Sequence, residues 1–201
     1  MQKLLHVGCG MKDKSQTTQG FANPDWVETR YDIDQSVTPD VVGSLVDLAA
    51  FSDETMDAVF SSHNIEHLYP HEVPQALSEF CRVLNDDGYL VITCPDLRGV
   101  CELVAQDRLL EAAYESPAGP IAPIDILYGF RKALAEGNLY MAHRCGFTEK
   151  VLSTSLHQAG FETAVSMARP APFYDLFALG SKRLRDESEM RSLAGQHFPG
   201  I

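Results

Sequence analysis

Short apolar runs recur along the chain between polar, glycine-rich and proline-containing segments. Seven of these runs have the length and composition typical of β-strands, at residues 3–7, 27–32, 41–45, 57–61, 89–94, 162–167 and 173–180. Between the fourth and fifth runs, apolar residues at helical spacing from Val73 to Leu84 predict an amphipathic helix. A second helix is predicted from its N-cap Thr148 to the stop at Gly160. Strands that alternate with helices favour an α/β fold with a mostly parallel, doubly wound sheet.

Residues 97–146 interrupt this alternation. They predict a helix with apolar residues from Val100 to Tyr114, a proline-containing loop over residues 116–123, and a second helical segment over residues 124–134. An insertion after the fifth strand lies over the carboxyl ends of the strands, where open α/β sheets bind ligands. We therefore interpret residues 97–146 as a substrate cap. The alternative is a packing element without ligand contact.

The length of the chain suits a single domain with a sizeable core. It has 201 residues, of which 45% are apolar, and we assign residues 1–181 to that domain. In residues 182–201, three basic side chains, at Lys182, Arg183 and Arg185, are followed directly by acidic ones. This mixed charge predicts a solvated, polar C-terminal tail.

Charge and cysteine content limit the partners and the compartment. A net charge of −12, without a basic patch, disfavours nucleic acid as a partner. No apolar run approaches the roughly 18 residues of a membrane span, and the first strand follows Met1 too closely for a signal peptide. The five cysteines show no C-x-x-C spacing, so we expect reduced, buried thiols. These features predict a cytoplasmic protein that acts on a small molecule. They leave its oligomeric state open.

A glycine turn and an acidic residue point to a nucleoside-bearing cofactor. Gly8 and Gly10 follow the first predicted strand, and Asp32 closes the second, where a carboxylate can hold ribose hydroxyls. Residues 11–25 show no helical period, so the helix N-terminus that would bind a pyrophosphate is short or missing. This disfavours NAD more than S-adenosylmethionine, which carries no phosphate. An ordinary tight turn remains the alternative.

Seven segments, taken in order, resemble the motifs of class I S-adenosylmethionine-dependent methyltransferases. They lie at residues 7–10 (VGCG), 31–34 (YDID), 46–48 (VDL), 56–59 (MDAV), 64–68 (NIEHL), 82–89 (RVLNDDGY) and 94–97 (CPDL). The resemblance covers residues 3–97 and resumes more weakly over residues 143–161. It implies a Rossmann-like, doubly wound, mostly parallel seven-stranded sheet with a helical insertion after the fifth strand. It also implies S-adenosylmethionine as cofactor and methyl transfer to a small-molecule acceptor by in-line displacement.

The resemblance also implies which residues bind the cofactor. They are Val7, Gly8, Cys9, Gly10, Asp32, Ile33, Asp47, Leu48, Ser62, His63 and Asn64. In this assignment Asp32 accepts hydrogen bonds from both ribose hydroxyls, and Asp47 pairs with the adenine amino group. The alternatives are a turn carboxylate for Asp32 and a helix N-cap for Asp47. The chain departs from the family at His6, where an acidic residue is common.

Methyl transfer leaves little catalytic signature, because the sulfonium is already activated and positioning of the acceptor does most of the work. Five residues are candidates for the acceptor pocket: His63, His67, Asp96, Tyr140 and His143. Each also has a structural interpretation, and the acceptor atom stays open.

Two other functions compete with this prediction. Residues 63–67 match H-x-x-E-H, the inverted zinc-peptidase motif, which requires an uninterrupted helix. Pro70 and Pro74 make such a helix unfavourable, so we expect no metal. A non-catalytic module that binds S-adenosylmethionine is the other alternative.

Overall fold

The computed structural model describes residues 1–200. Its strands are β1 (Gln2–Val7), β2 (Trp26–Asp32), β3 (Val41–Val42), β4 (Met56–Ser62), β5 (Leu84–Pro95), β6 (Tyr114–Ser116), β7 (Gly119–Ile121), β8 (Thr163–Arg169) and β9 (Asp175–Ser181). Its α-helices are α1 (Val73–Val83), α2 (Leu97–Ala105), α3 (Pro123–Tyr128), α4 (Arg131–Ala135), α5 (Glu149–Gln158) and α6 (Glu187–His197). Strands β6 and β7 form a separate hairpin, whereas the others form one sheet.

The order of the main sheet is β3-β2-β1-β4-β5-β9-β8. Strands β1 to β5 pair in parallel, and β9 pairs antiparallel with both β5 and β8. This confirms the seven-stranded, mostly parallel α/β sheet. The chain runs outward in one direction from β1 and in the other from β4. A crevice therefore opens where the carboxyl ends of β1 and β4 diverge, the usual ligand position in such sheets.

Several element bounds differ from the sequence prediction. The third strand has two residues rather than five, because it is an edge strand that pairs only with Tyr31 and Asp32 of β2. Helix α2 ends at Ala105, and Tyr114 begins the hairpin, so the helix predicted up to Tyr114 is too long. The proline-containing loop is this β6–β7 hairpin, and the second helical segment is split into α3 and α4.

One face of the sheet is covered by α1 and α5. Helix α1 buries Val73, Ala76, Leu77 and Phe80, as its apolar spacing predicts. Helix α5 adds Leu152 and Leu156 to the same core and ends before Gly160, whose φ is +101°. The longest helices, α1 and α6, each have 11 residues. Within residues 1–200 no helix combines the length and apolar composition needed to cross a bilayer.

The opposite face is covered by the C-terminal segment. The connection from β1 to β2 holds only a 3-10 turn at Lys14–Gln16, as the missing helical period predicts. Phe21 from this connection and Met190 and Ala194 from α6 pack together against Leu4 and Phe60 of the sheet. Residues 182–200, the described part of the predicted solvated tail, therefore differ from that prediction. The sheet face that the missing helix leaves bare is apolar, and α6 buries it.

The cysteines follow their expectation only in part. Cys9, Cys81 and Cys94 are buried, and all five cysteines are free thiols. Cys145 is half-buried and Cys101 is exposed, since it lies on the outer side of α2. The expectation of buried thiols is therefore wrong for Cys101.

Helix α6 brings a titratable group into the core. His197 is 3% exposed, its Nδ1 lies 2.6 Å from Thr18 Oγ1, and its Nε2 lies 3.1 Å from Tyr89 Oη. Burial lowers the pKa of His197 to about 4, from 6.5. Between these two pH values, His197 therefore binds a proton in the unfolded chain but stays neutral in the folded chain.

We expect His197 to make the fold sensitive to acid. Its contribution to the free energy of unfolding is fully present above pH 6.5 and is lost as the pH falls towards about 4. The full loss is roughly 3 kcal/mol. Urea unfolding at pH 7 and pH 4.5 should show this loss, and His197→Gln should reduce it, whereas the exposed His71→Gln should not. Equal pH dependence in the parent and His197→Gln would rule this out.

Candidate functional site

Strand β1 ends in a turn in which two glycines adopt the left-handed backbone conformation. Gly8 and Gly10 have φ values of +59° and +53°. A Cβ atom on Gly8 would lie 2.2 Å from the Asn64 side chain, whereas one on Gly10 would project into open space. The buried Val7 supports the turn from below, and its carbonyl oxygen accepts a hydrogen bond from Asn64 Nδ2 at 3.1 Å. The backbone is thereby left accessible to a ligand.

Asp32, at the end of β2, ties two loops together beside this turn. It is 9% exposed. Its Oδ2 accepts a hydrogen bond from the Gly10 N–H at 2.8 Å, and its Oδ1 accepts one from the Asp34 N–H at 2.9 Å. Each carboxylate oxygen can accept more than one hydrogen bond. Asp32 can therefore hold the turn and still bind hydroxyl groups.

A cavity of about 280 Å³ lies over this carboxylate, and we name it the Asp32 cavity. Its wall includes Gly8, Gly10, Asp32, Ile33, Ser44, Leu45, His63, Asn64, Leu68, Tyr140, Met141 and Arg144. Polar groups are therefore concentrated at the strand ends, with apolar side chains beside them.

Asp47 and Leu48 lie away from the Asp32 cavity. Asp47 is exposed, and its Oδ1 accepts a hydrogen bond from the Ala49 N–H at 3.0 Å. Leu48 is buried in the core, and its N–H donates to Glu79 Oε2 at 2.8 Å. The cavity wall beyond β3 is formed by Ser44 and Leu45 instead. Sequence reasoning missed these two residues, although they follow β3 closely, as Asp32 closes β2.

A second cavity, of about 520 Å³, shares Gly8, Gly10, His63 and Asn64 with the first. We name it the Asp175 cavity; it is also lined by Cys9, Lys12, Thr17, Ser62, Thr93, Arg169, Asp175 and Phe177. Asp175 is buried and accepts a hydrogen bond from Arg169 Nε at 2.7 Å. The Arg169 guanidinium also lies over the Phe177 ring, 4.8 Å from its centroid. The wall of the Asp175 cavity therefore includes an ion pair beside an aromatic ring.

A third cavity, of about 160 Å³, lies between the end of β4 and residues 97–146. We name it the cap cavity; it is lined by His63, Glu66, His67, Pro95, Tyr114, Ile121, Asp125, Ile126, Phe130, Met141, His143, Phe173 and Tyr174. His63 borders all three cavities. The two acceptor-pocket candidates Tyr140 and His143 lie in different cavities. Tyr140 borders the Asp32 cavity, and His143 borders the cap cavity.

An acidic side chain is buried at the floor of the cap cavity. Glu66 is 1% exposed, and within residues 1–200 neither of its carboxylate oxygens has a hydrogen-bond partner. Burial alone would raise the pKa of Glu66, but the His63 imidazole, 3.5 Å away, and the neighbouring His67 and His143 lower it below its usual range. Burial lowers the pKa of His143. Glu66 is therefore ionised.

Asp96 and the H-x-x-E-H segment have local structures that differ from the roles considered for them in the sequence. Asp96 is the N-cap of α2, where its Oδ1 accepts a hydrogen bond from the Arg98 N–H at 3.0 Å, and it does not border the three cavities. The H-x-x-E-H segment forms only a 3-10 turn at Ile65–His67, followed by extended backbone at Leu68. His63 and His67 therefore do not share an α-helical face, and the inverted zinc-peptidase geometry is not formed by this segment.

Comparison with known proteins agrees with this architecture. Residues 5–92 match the family model described as methyltransferase domain. A SAM-dependent methyltransferase from Methanosarcina mazei is similar in structure, with a TM-score of 0.59 and 16% identity over 91% of this chain and 93% of that one. A SAM-dependent methyltransferase from Archaeoglobus fulgidus has a TM-score of 0.58 and 14% identity, over 90% and 86% of the two chains.

A third similar structure contains ligands. It is the 1,6-didemethyltoxoflavin-N1-methyltransferase of Burkholderia thailandensis with bound 1,6-didemethyltoxoflavin and S-adenosylhomocysteine. Its TM-score is 0.57 and its identity 19%, over 90% of this chain and 71% of that one. None of the curated protein sequences compared with the chain matches it. The family match and the shared fold confirm the resemblance that the sequence motifs indicate.

Proposed function

We propose that this chain, a class I S-adenosylmethionine-dependent methyltransferase, transfers the methyl group to a small molecule whose reacting group enters the cap cavity. The observation that carries the proposal is the position of His63. His63 borders the Asp32, Asp175 and cap cavities. Ligands that occupy these three cavities would therefore approach one another beside His63. The end of β4 is therefore our proposed place of reaction.

The first two cavities suit S-adenosylmethionine. In our assignment the adenosine lies in the Asp32 cavity, with the ribose hydroxyls on the Asp32 carboxylate and the adenine between Leu45 and Met141. The methionine part then passes over Gly8 and Gly10 towards the Asp175 cavity, which shares that turn. This arrangement brings the sulfonium close to His63.

The cap cavity suits a small acceptor that is not a polyanion. Its volume of about 160 Å³ is below the roughly 300–1,000 Å³ of drug-sized sites, so it takes a small molecule or the reacting end of a larger one. The ionised Glu66 and the net charge of −12 disfavour a polyanion. The similar enzyme that binds 1,6-didemethyltoxoflavin supports an acceptor of this size class.

In-line displacement defines what these residues must do. The S–CH₃ bond breaks with its electron pair retained by sulfur, and a bond forms from an acceptor lone pair to the methyl carbon. Residues 97–146 exclude water from the approach and orient the acceptor. His63 is the titratable side chain placed to take the acceptor's proton, where the acceptor loses one.

A screen tests the acceptor proposal. The protein is incubated with S-adenosylmethionine and pools of small metabolites, and acceptor-dependent formation of S-adenosylhomocysteine is measured. A protein that binds the cofactor but consumes none with any pool would instead be a non-catalytic binding module.

We expect Tyr140→Ala and His143→Ala to have different effects. His143→Ala should keep the affinity for S-adenosylhomocysteine within about threefold and lower methyl transfer at least about tenfold, because His143 borders only the cap cavity. Tyr140→Ala should weaken the affinity itself, because Tyr140 borders the Asp32 cavity. Calorimetry and turnover measured on both variants check this. Unchanged turnover in His143→Ala would move the acceptor site elsewhere.

A further inference from the structure

We propose that Glu66, His67 and His143 bind a divalent transition-metal ion at the floor of the cap cavity. One potential ligand atom from each residue lies within 4.8 Å of those of the other two. All three side chains line the same cavity. Two imidazole nitrogens and one carboxylate oxygen are the donor set of many zinc, iron, cobalt and manganese sites.

The Nδ1 atom of each histidine lies beside a backbone carbonyl oxygen. His67 Nδ1 lies 3.1 Å from the Ala142 carbonyl oxygen, and His143 Nδ1 lies 2.7 Å from the Ile126 carbonyl oxygen. Because a carbonyl oxygen only accepts, each Nδ1 carries a proton, and in the neutral imidazole Nε2 keeps its lone pair. Metal-binding histidines usually show this arrangement, with one ring nitrogen donating to a carbonyl or carboxylate.

The buried carboxylate of Glu66 indicates a cation site independently of the two histidines. A buried carboxylate without a hydrogen bond is costly, and among the described residues nothing donates to either oxygen of Glu66. His63 Nδ1, at 3.5 Å from Oε1, is beyond a good hydrogen bond. A cation held between this carboxylate and the two Nε2 atoms would compensate the buried charge.

The backbone holds the two ligand segments together, although they are distant in sequence. Glu66 and His67 lie in the 3-10 turn directly after β4. The Glu66 carbonyl oxygen accepts hydrogen bonds from the Arg144 N–H at 2.8 Å and the Cys145 N–H at 3.2 Å. The Arg144 guanidinium donates to the His67 carbonyl oxygen at 2.8 Å. His143 is thus fixed opposite the turn that carries Glu66 and His67.

This site differs from the zinc motif in the sequence. The expectation of no metal rested on the failure of His63 and His67 to share a helix, whereas the second histidine here is His143. Coordination positions not taken by protein would face the cap cavity, where the acceptor is proposed to enter. That role rests on the proposed function, but metal binding itself does not.

Cobalt titration tests the site. Chelator-treated protein without cofactor or acceptor is titrated with cobalt(II) chloride, followed by visible absorption and by calorimetry. We expect one cobalt ion per chain with an absorption spectrum of nitrogen and oxygen ligation. Glu66→Gln and His143→Gln should each weaken binding at least about 100-fold, more than loss of a supporting contact usually costs. The exposed His71→Gln is the matched control and should bind as the parent does.

Three outcomes would overturn the metal site. They are no saturable binding by the parent, unchanged binding in either folded cluster variant, and equal loss in His71→Gln. Circular dichroism checks that the variants fold, and because Glu66 and His143 lie on separate segments, either variant alone decides the question. Metal binding without methyl transfer in the screen would contradict the proposed function but leave this site standing. Methyl transfer by a protein that binds no cobalt would support the proposed function but overturn the metal site.

Discussion

Replacement of Asp32 by alanine is expected to weaken the binding of S-adenosylhomocysteine by more than about 100-fold. In our assignment both ribose hydroxyls donate to this carboxylate, and a hydrogen bond to a charged group contributes about 1.5–3 kcal/mol. Loss of about 3 kcal/mol corresponds to more than a hundredfold in affinity. The same substitution also removes the acceptor of the Gly10 N–H, which loosens the turn over which the methionine passes. Calorimetric titration measures the effect.

Two further variants make this measurement specific. Asp32→Asn keeps an oxygen for the Gly10 N–H but removes the charge, so it separates ribose binding from the integrity of the turn. Asp47→Ala is the matched control, because Asp47 is exposed and caps the Ala49 N–H away from the cavity. It should bind S-adenosylhomocysteine as the parent does. Tight binding by Asp32→Ala, or a large loss in Asp47→Ala, would contradict the cofactor site described above.

The fold could be predicted largely from hydrophobic periodicity. Each central strand is a short apolar run, and α1 carries an unambiguous apolar face, because burial imposes a period on both. The covering of the second sheet face could not be predicted in this way. Helix α6 is mostly polar in composition. Its few buried residues can be identified only from their packing against the apolar sheet face that no other helix covers.

Local motifs specify the proposed cofactor site more closely than the proposed acceptor site. Gly8 and Asp32 are recognisable because positive φ and a strand-end carboxylate are local requirements. The resemblance implies that Asp47 pairs with adenine, whereas Ser44 and Leu45 are the residues after β3 that border the Asp32 cavity. A motif does not specify which residue of a turn faces a ligand.

The acceptor side depends on contacts between distant segments. The meeting of Glu66 with His143 is fixed by hydrogen bonds between residues 66–67 and residues 144–145, and no local period encodes such contacts. Tyr140 and His143 are three residues apart, yet they border different cavities because the 3-10 turn at Leu139–Met141 ends between them.

Replacement of Met190 by aspartate is expected to destabilise the whole fold. Met190 is 2% exposed and packs in the core formed by Phe21, Tyr89 and Phe198. An aspartate there is a buried charge without a partner, which typically costs about 3–5 kcal/mol. For a chain of this length the melting temperature should fall by roughly 10 °C. Thermal and urea unfolding, followed by circular dichroism, measure the change.

The matched control lies two residues further along the same helix. Ser192 is exposed, so Ser192→Asp adds the same charge on the solvent side of α6 and should change the free energy of unfolding by no more than about 0.5 kcal/mol. A solvated tail would tolerate both substitutions equally. If α6 instead replaces the helix missing between β1 and β2, only Met190→Asp exposes the apolar sheet face. It should then also increase hydrogen exchange at Leu4 and Phe60, which that face contributes to the core.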